Sequence, residues 1–370
     1  MLITSFGYVI SPYEYEKNHH HYDYPFETIQ IKSFAPWRLI PGLMNKKILL
    51  ILLSFFAFSA CSDGDDTTVL KLGHGLDTSH PVHLAMQYMA DRIYEYSDGS
   101  MRMDVYPSQQ LGTERELLEL LQIGSVDITK VSSSVLEGFD PIYKVFSVPF
   151  LFVDEDHRYR VWDSEVGREL LDAGERIRLT GLTYYDAGTR SFYTKDRAIH
   201  HPDDLTGMRI RVQESPAAIQ MVNLLGGNAT PISWGELYTA LQQGIVEGAE
   251  NNPPSFHLSG HYEVSGYYSL NEHTAVPDIL YASLQTWNRL SEDQQQILRR
   301  AAEESGVYQR RLWQEASARA IEEVQKAGIE VIYPDKEPFL ERLQPLYQQY
   351  MDESEELKRF IERIQEMADG

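Results

Sequence analysis

Arg209 and Arg211 sit two apart in Met208-Arg-Ile-Arg-Val212, where Met208, Ile210 and Val212 alternate with them. Alternation with period 2 predicts a strand whose apolar side chains share one face and whose guanidinium groups share the other. A planar guanidinium suits a carboxylate or phosphate, which it can grip through two parallel hydrogen bonds. Ser215-Pro216 then opens an apolar-periodic run over 217–225 that ends at Gly226-Gly227. Serine as N-cap, proline in the first helical position and glycine past the last turn mark both ends of a helix. Arg211 therefore stands near the carboxyl end of a strand feeding a helix, the edge at which open α/β sheets bind ligands. The competing reading is an arginine paired with an acid of its own domain.

Other side chains of chemical interest are more isolated. His80 and His83 are three apart on one face of a helix starting after Ser79, a spacing open to metal, but no third ligand is marked. Capping the helix or touching a polar ligand is the stronger reading of His80. Gly73-His-Gly75 occupies the place of a dinucleotide fingerprint, yet Thr78 stands where the third glycine belongs, so a tight strand-to-helix turn explains it. Glu114 and Lys130 lie at the ends of predicted elements, where each faces either the crevice or solvent. Trp234 and Tyr238, four apart after Pro231, read as core or crevice wall. There is no Gly-x-Ser-x-Gly elbow, His-Glu-x-x-His, phosphate loop or cysteine nucleophile.

The elements that would position these residues alternate along the chain. Val69–Leu72, a helix to about Tyr96, Met101–Tyr106, a capped helix from Thr113 to Gly124 and the strand 125–131 predict a parallel sheet, the first half of an α/β domain. An apolar segment over 145–153 and a helix containing Trp162 follow, then a strand over 179–187. The stretch around Arg211 repeats the alternation as a second domain. After a strand over 279–284, the pattern Glu292–Lys326 predicts one helix of about 50 Å, interrupted only by Gly306. A strand over 329–333 and covering helices over 338–367 close the chain.

A length of 370 residues favours two domains. The formal charge of −22 argues against nucleic acid or an anionic membrane surface as partner and favours a soluble monomer. Residues 1–43 read as an upstream extension outside the fold. Met44-Asn-Lys-Lys47, the apolar run 48–58 and Ser59-Ala60-Cys61 have the form of a secretory signal over 44–60, too short to span a bilayer. Phe58-Ser-Ala-Cys61 resembles a bacterial lipobox. Cys61 is the only cysteine in the chain, so it is read as a lipid attachment point, with 61–68 as a tether.

Three segments in this order, 185–193, 205–216 and 244–254, resemble the solute-binding proteins of tripartite ATP-independent periplasmic (TRAP) transporters, the DctP family. The likeness covers about 70–290 and includes Pro107-Ser-Gln-Gln-Leu-Gly-Thr-Glu, Val148-Pro-Phe-Leu-Phe and Ile232-Ser-Trp-Gly-Glu-Leu. It implies an α/β, two-lobed periplasmic-binding-protein-like fold, its lobes joined by hinge strands and a long domain-spanning helix. On that reading lobe I is 69–187 plus 277–316, and lobe II is 188–276 plus 317–370. The function implied is extracytoplasmic capture of a small carboxylate in the interlobe cleft and delivery to small and large membrane permease subunits, with no cofactor.

Carried over by motif, Arg211 is the carboxylate arginine, Arg190 a second cleft arginine aimed by the Gly188-Thr189 turn, and Asn251 a cleft asparagine. Asn252, Gln213, His80, Glu114 and Lys130 join the expected ligand-binding set, and Phe192, Trp234 and Phe256 are candidates to face a sugar ring. Gly-Thr-Arg-Ser-Phe-Tyr193, Glu-Asn-Asn-Pro-Pro-Ser-Phe256 and Tyr-Ser-Leu-Asn-Glu-His273 resemble the branch associated with D-glucuronate and D-galacturonate. A C4-dicarboxylate or another organic acid stays open. So does a secreted enzyme on acidic sugars using His80, Asp186 or Glu250, which would need carboxylates paired across a bond.

Overall fold

The computed structural model describes residues 67–368. The signal at 44–60, Cys61 and nearly all of the tether lie outside them. Among the described residues no helix is long and apolar enough to cross a membrane.

The chain runs β1 (Thr68–Gly73), α1 (Pro81–Tyr96), β2 (Met101–Tyr106), α2 (Glu114–Gln122), β3 (Ile128–Ser132) and the short α3 (Ser133–Leu136). The apolar stretch begun at Val145 belongs partly to a 3-10 turn, Pro141–Ser147, followed by α4 (Glu155–Trp162), α5 (Glu165–Asp172) and β4 (Leu179–Tyr185). Next come β5 (Arg190–Thr194), β6 (Arg209–Val212), α6 (Pro216–Leu224), β7 (Asn228–Pro231), α7 (Leu237–Gln242), β8 (Gly248–Asn251), α8 (Pro253–Leu258) and β9 (Tyr267–Thr274). The last are β10 (Asp278–Ser283), α9 (Leu284–Arg289), α10 (Glu292–Lys326), β11 (Glu330–Ile332), α11 (Glu337–Glu353) and α12 (Glu355–Glu366).

Two sheets make the two lobes. The first has the order β2-β1-β3-β10-β4, and the second β11-β9-β5-β8-β6-β7. β1 runs parallel to β2 and β3 as the strand-helix alternation predicts, but β10 returns antiparallel between β3 and β4, so the sheet is mixed rather than parallel. The chain passes between the sheets three times, through 186–189 after β4, through 275–277 after β9, and along α10 between β10 and β11. α10 packs on α1 and β4 of the first lobe and on α8 and β11 of the second. Its start is fixed by a capping box, Ser291 Oγ accepting from Gln294 N. Gly306 lets it settle on β4: a Cβ there would lie 2.8 Å from Thr183 Oγ1 and 3.2 Å from the Tyr184 carbonyl oxygen. α11 and α12 touch α6, the 3-10 turn and α5, so the carboxyl-terminal helices meet elements that follow strands of both sheets.

Candidate functional site

A cleft of about 770 Å³, including its open mouth, lies between the sheets. β6 and β8 present Arg211 and Asn251 to it from one side, while β3 and β10 present Lys130 and Asp278 from the other.

Arg211 is 2% exposed. Its Nε donates to the Ile232 carbonyl oxygen at 2.8 Å, but Nη1 has no acceptor among the described residues. Burial pulls its pKa below the usual arginine value, a sign of what holding a buried cation without an acid costs. Arg209, one pleat outward on the same strand face, is exposed and pairs with Glu247 at 3.4 Å. The two arginines thus divide as their positions on the strand suggest.

Arg190 has the opposite character. Its Nε and Nη2 both donate to the Glu250 carboxylate, Nη2 also to the Glu250 carbonyl (2.8 Å), and Nη1 to Asn251 Oδ1 (3.0 Å). Burial alone would raise the Glu250 carboxyl, but the Arg190 guanidinium overrides it and holds it at about 2. Arg190 still lines the cleft, with its charge already matched. The reading of an arginine paired within its own domain holds for Arg190 rather than for Arg211.

Asn251 Oδ1 is taken by Arg190 Nη1, Asn252 N (2.9 Å) and Asn252 Nδ2 (3.1 Å). That leaves the Asn251 amide nitrogen as the group able to donate onward. Asn252 lines the cleft, but its Oδ1 caps α8 by accepting from Ser255 N (2.8 Å), so it is largely occupied. Gln213 accepts from Ser132 Oγ across the cleft at 3.4 Å.

His80 caps α1, its Nδ1 accepting from Val82 N at 3.3 Å, and its Nε2 stands 3.4 Å from Ser255 Oγ of the other lobe. Burial lowers its pKa to about 3, so it is neutral. His83 turns to His74 instead, with their ring nitrogens 3.0 Å apart, and no cluster able to hold a metal exists among the described residues. Lys130 donates to Glu114 (2.6 Å) and Asp278 (3.1 Å). Burial opposes the Lys130 charge, and the two acids outweigh it and raise its pKa.

Trp234, at a 3-10 turn after β7, lines the cleft half-buried. Phe192 does not reach it. The Phe192 ring is fully buried and stacks on His273 with centroids 4.6 Å apart, because its β5 position faces the core. Phe256 is likewise core, against Tyr193 and Tyr268. Asp186 and Glu250 are buried away from the main cleft, Asp186 accepting from Tyr159 Oη at 2.7 Å.

Several lining residues carry no sequence signal of their own. Trp313 reaches the cleft from the middle of α10, and Asp278 and Ser132 from paired positions on β10 and β3. Gln109 is different, because it sits in a Pro107-Ser-Gln-Gln turn where Ser108 and Gln109 adopt φ of 53° and 59°. Adjacent left-handed non-glycine residues are strained and recur at functional sites. The Gln109 Nε2 has no acceptor among the described residues.

The DctP family model, bacterial extracellular solute-binding protein, family 7, matches residues 72–354. A solute-binding protein of Chromohalobacter salexigens is 35% identical over 289 residues, 78% of this chain and 86% of that one. A TRAP periplasmic solute binding protein from Anaerococcus prevotii, solved with bound D-glucuronate, matches with a TM-score of 0.80 at 35% identity over 82% of this chain and 98% of that one. Another from Sulfitobacter, with bound β-D-galacturonate, gives 0.79 at 32% identity over 81% of this chain and 100% of that one.

Proposed function

We propose that this chain, which belongs to the DctP family of bacterial extracellular solute-binding proteins that serve TRAP transporters, captures a hexuronate such as D-glucuronate or D-galacturonate and delivers it to membrane permease subunits. The observation that carries the reading is Arg211, a buried guanidinium facing the cleft with an unpaired Nη1 and no carboxylate of the described chain within ion-pair distance. A ligand carboxylate supplies the missing acceptor and charge. Asn251 donates beside it, and Trp234 and Trp313 give the sugar ring two aromatic walls. Arg190, locked to Glu250, shapes the pocket and holds Asn251 in place.

The protein binds without turning its ligand over. His80 is neutral and committed to capping, while Asp186 and Glu250 are spent on internal partners, which supports this reading. The mature protein works outside the cytoplasm, anchored through a lipid on Cys61. Mass spectrometry of that cysteine in the membrane fraction tests the anchor, and an unmodified thiol in freely soluble exported protein counts against it.

Thermal shift across sugar acids and dicarboxylates tests the ligand. At a hundredfold its dissociation constant a ligand adds about 2.7 kcal/mol, enough for a clear rise in melting temperature. No response to either hexuronate would end the uronate assignment, and a product appearing on incubation would end binding without turnover.

A further inference from the structure

Resting on the uronate reading, we infer that Glu114, Lys130 and Asp278 act as a charge screen that admits acids with one carboxylate and a hydroxylated remainder, and rejects dicarboxylic acids of the same carbon skeleton.

Most cations at the cleft are already matched by acids of the chain. Arg190 is spent on Glu250, Arg115 stands 3.3 Å from Glu119, and Lys130 lies between Glu114 and Asp278 at 2.6 and 3.1 Å. Among the described arginine and lysine side chains that line the cleft, Arg211 alone has no carboxylate within ion-pair distance. One ligand carboxylate therefore completes the pairing. A second would arrive at the wall made by β3, β10 and the first residue of α2, where two carboxyls share one ammonium. Lys130 is the single ion-pair partner of both, so that wall has no cation to spare.

The geometry also says what that wall accepts. Among the described residues Lys130 Nζ is the only hydrogen-bond donor to either carboxyl, and it reaches Glu114 Oε1 and Asp278 Oδ1. Glu114 Oε2 and Asp278 Oδ2 are left as acceptors. A hydroxyl brings a hydrogen to such an oxygen, whereas a carboxylate brings only lone pairs and a like charge. Recruiting Lys130 to a second ligand carboxylate would not help, because it would strip a buried acid of its partner.

Competitive calorimetry on the exported chain, with D-glucuronate, D-gluconate and D-glucarate, tests this. Gluconate and glucarate share an open carbon chain and differ at one end, hydroxymethyl against carboxylate, so their ratio isolates charge from ring shape. Glucarate is expected to bind about 100-fold more weakly than gluconate, the scale of a like charge brought into a desolvated site. In Glu114→Gln, or Asp278→Asn should the first variant melt early, that ratio is expected to narrow about tenfold, a change that a purely structural role would not produce. Glucarate binding within threefold of gluconate in the parent overturns the screen, as does a ratio left unchanged in folded variants. If neither open-chain acid displaces glucuronate from the parent, a variant that gains glucarate binding supports the screen and one that does not overturns it. Failure of glucuronate with the gluconate preference intact would remove the uronate reading and leave the screen standing; failure of all three acids overturns both.

Discussion

The Ala217 backbone N–H donates to Glu137 Oε2 at 3.0 Å, tying the end of α3, which follows a strand of the first sheet, to the start of α6, which follows a strand of the second. Ser215 Oγ donates to the same oxygen (2.8 Å) and Ser147 Oγ to Oε1 (2.5 Å). Burial raises this carboxyl to about 7 despite the three donors, with Lys144 the cation that lowers it and Tyr350 close by on α11. A carboxyl raised on folding is protonated more readily in the native state than in the unfolded chain. Stability therefore falls as pH rises from the unfolded value near 4.5 to about 7.

The full cost above pH 7 is about 3 kcal/mol. Glu137→Gln removes the titration and keeps one acceptor for the Ala217 N–H, so melting temperatures at pH 5.5 and 8 should lie closer together in the variant than in the parent. Equal spacing in both would mean that Glu137 is not the group responsible.

Much of this architecture is legible in the sequence, and the exceptions share a cause. α10 runs from Glu292 to Lys326 as its periodicity indicates, because a capping box and a helical run broken only by Gly306 are local signals. The contrast between Arg209 and Arg211 is local too, since two residues along a strand separate an edge from an interior. The Arg190–Glu250 pair is not, because it depends on β5 lying against β8, with Ser191 opposite Asn251 and Phe192 opposite Glu250. Phe192 misleads for a related reason: an aromatic in a fully buried strand carries no mark of which side faces a cleft. Lys130 and Asp278 meet only because β10 inserts antiparallel beside β3, a pairing across 148 residues that no window of sequence contains.

Removing Glu250 should be more damaging than its distance from the main cleft suggests. Glu250→Ala leaves the Arg190 guanidinium buried without its acid, a change that typically costs about 3–5 kcal/mol. Urea unfolding should show that loss in the midpoint, with Asn251 misplaced and ligand affinity reduced in whatever folds. A midpoint within experimental error of the parent would mean that Arg190 finds another partner or water.

Gly306 is where the long helix lies closest to β4. In Gly306→Ala the added methyl must move the flexible Thr183 side chain and also meet the Tyr184 carbonyl oxygen, which is backbone and cannot rotate away. Overpacking of this kind typically costs about 1–3 kcal/mol. The better helix propensity of alanine returns about 1 kcal/mol at most. A net loss in unfolding free energy is expected, and a gain would show that α10 can lift from the sheet without penalty.

The three-variant series at the arginines tests the carboxylate clamp directly. Arg211→Ala removes a buried guanidinium from the ligand carboxylate and should weaken binding by about 2–5 kcal/mol, because that carboxylate stays desolvated without its partner. This is roughly thirty-fold to several thousand-fold in Kd. Arg211→Lys keeps the charge but loses the planar fork, and its ammonium cannot both reach the Ile232 carbonyl oxygen, which Arg211 Nε now bonds, and offer two parallel donors to the ligand. It should therefore bind poorly as well. Arg209→Ala removes an exposed pair with Glu247, worth about 1 kcal/mol or less, and should leave affinity near that of the parent. Calorimetric titration with D-glucuronate separates the outcomes: parent-like affinity in Arg211→Ala would remove the clamp, and a larger loss at Arg209 than at Arg211 would mean that the ligand enters from the outer edge of β6.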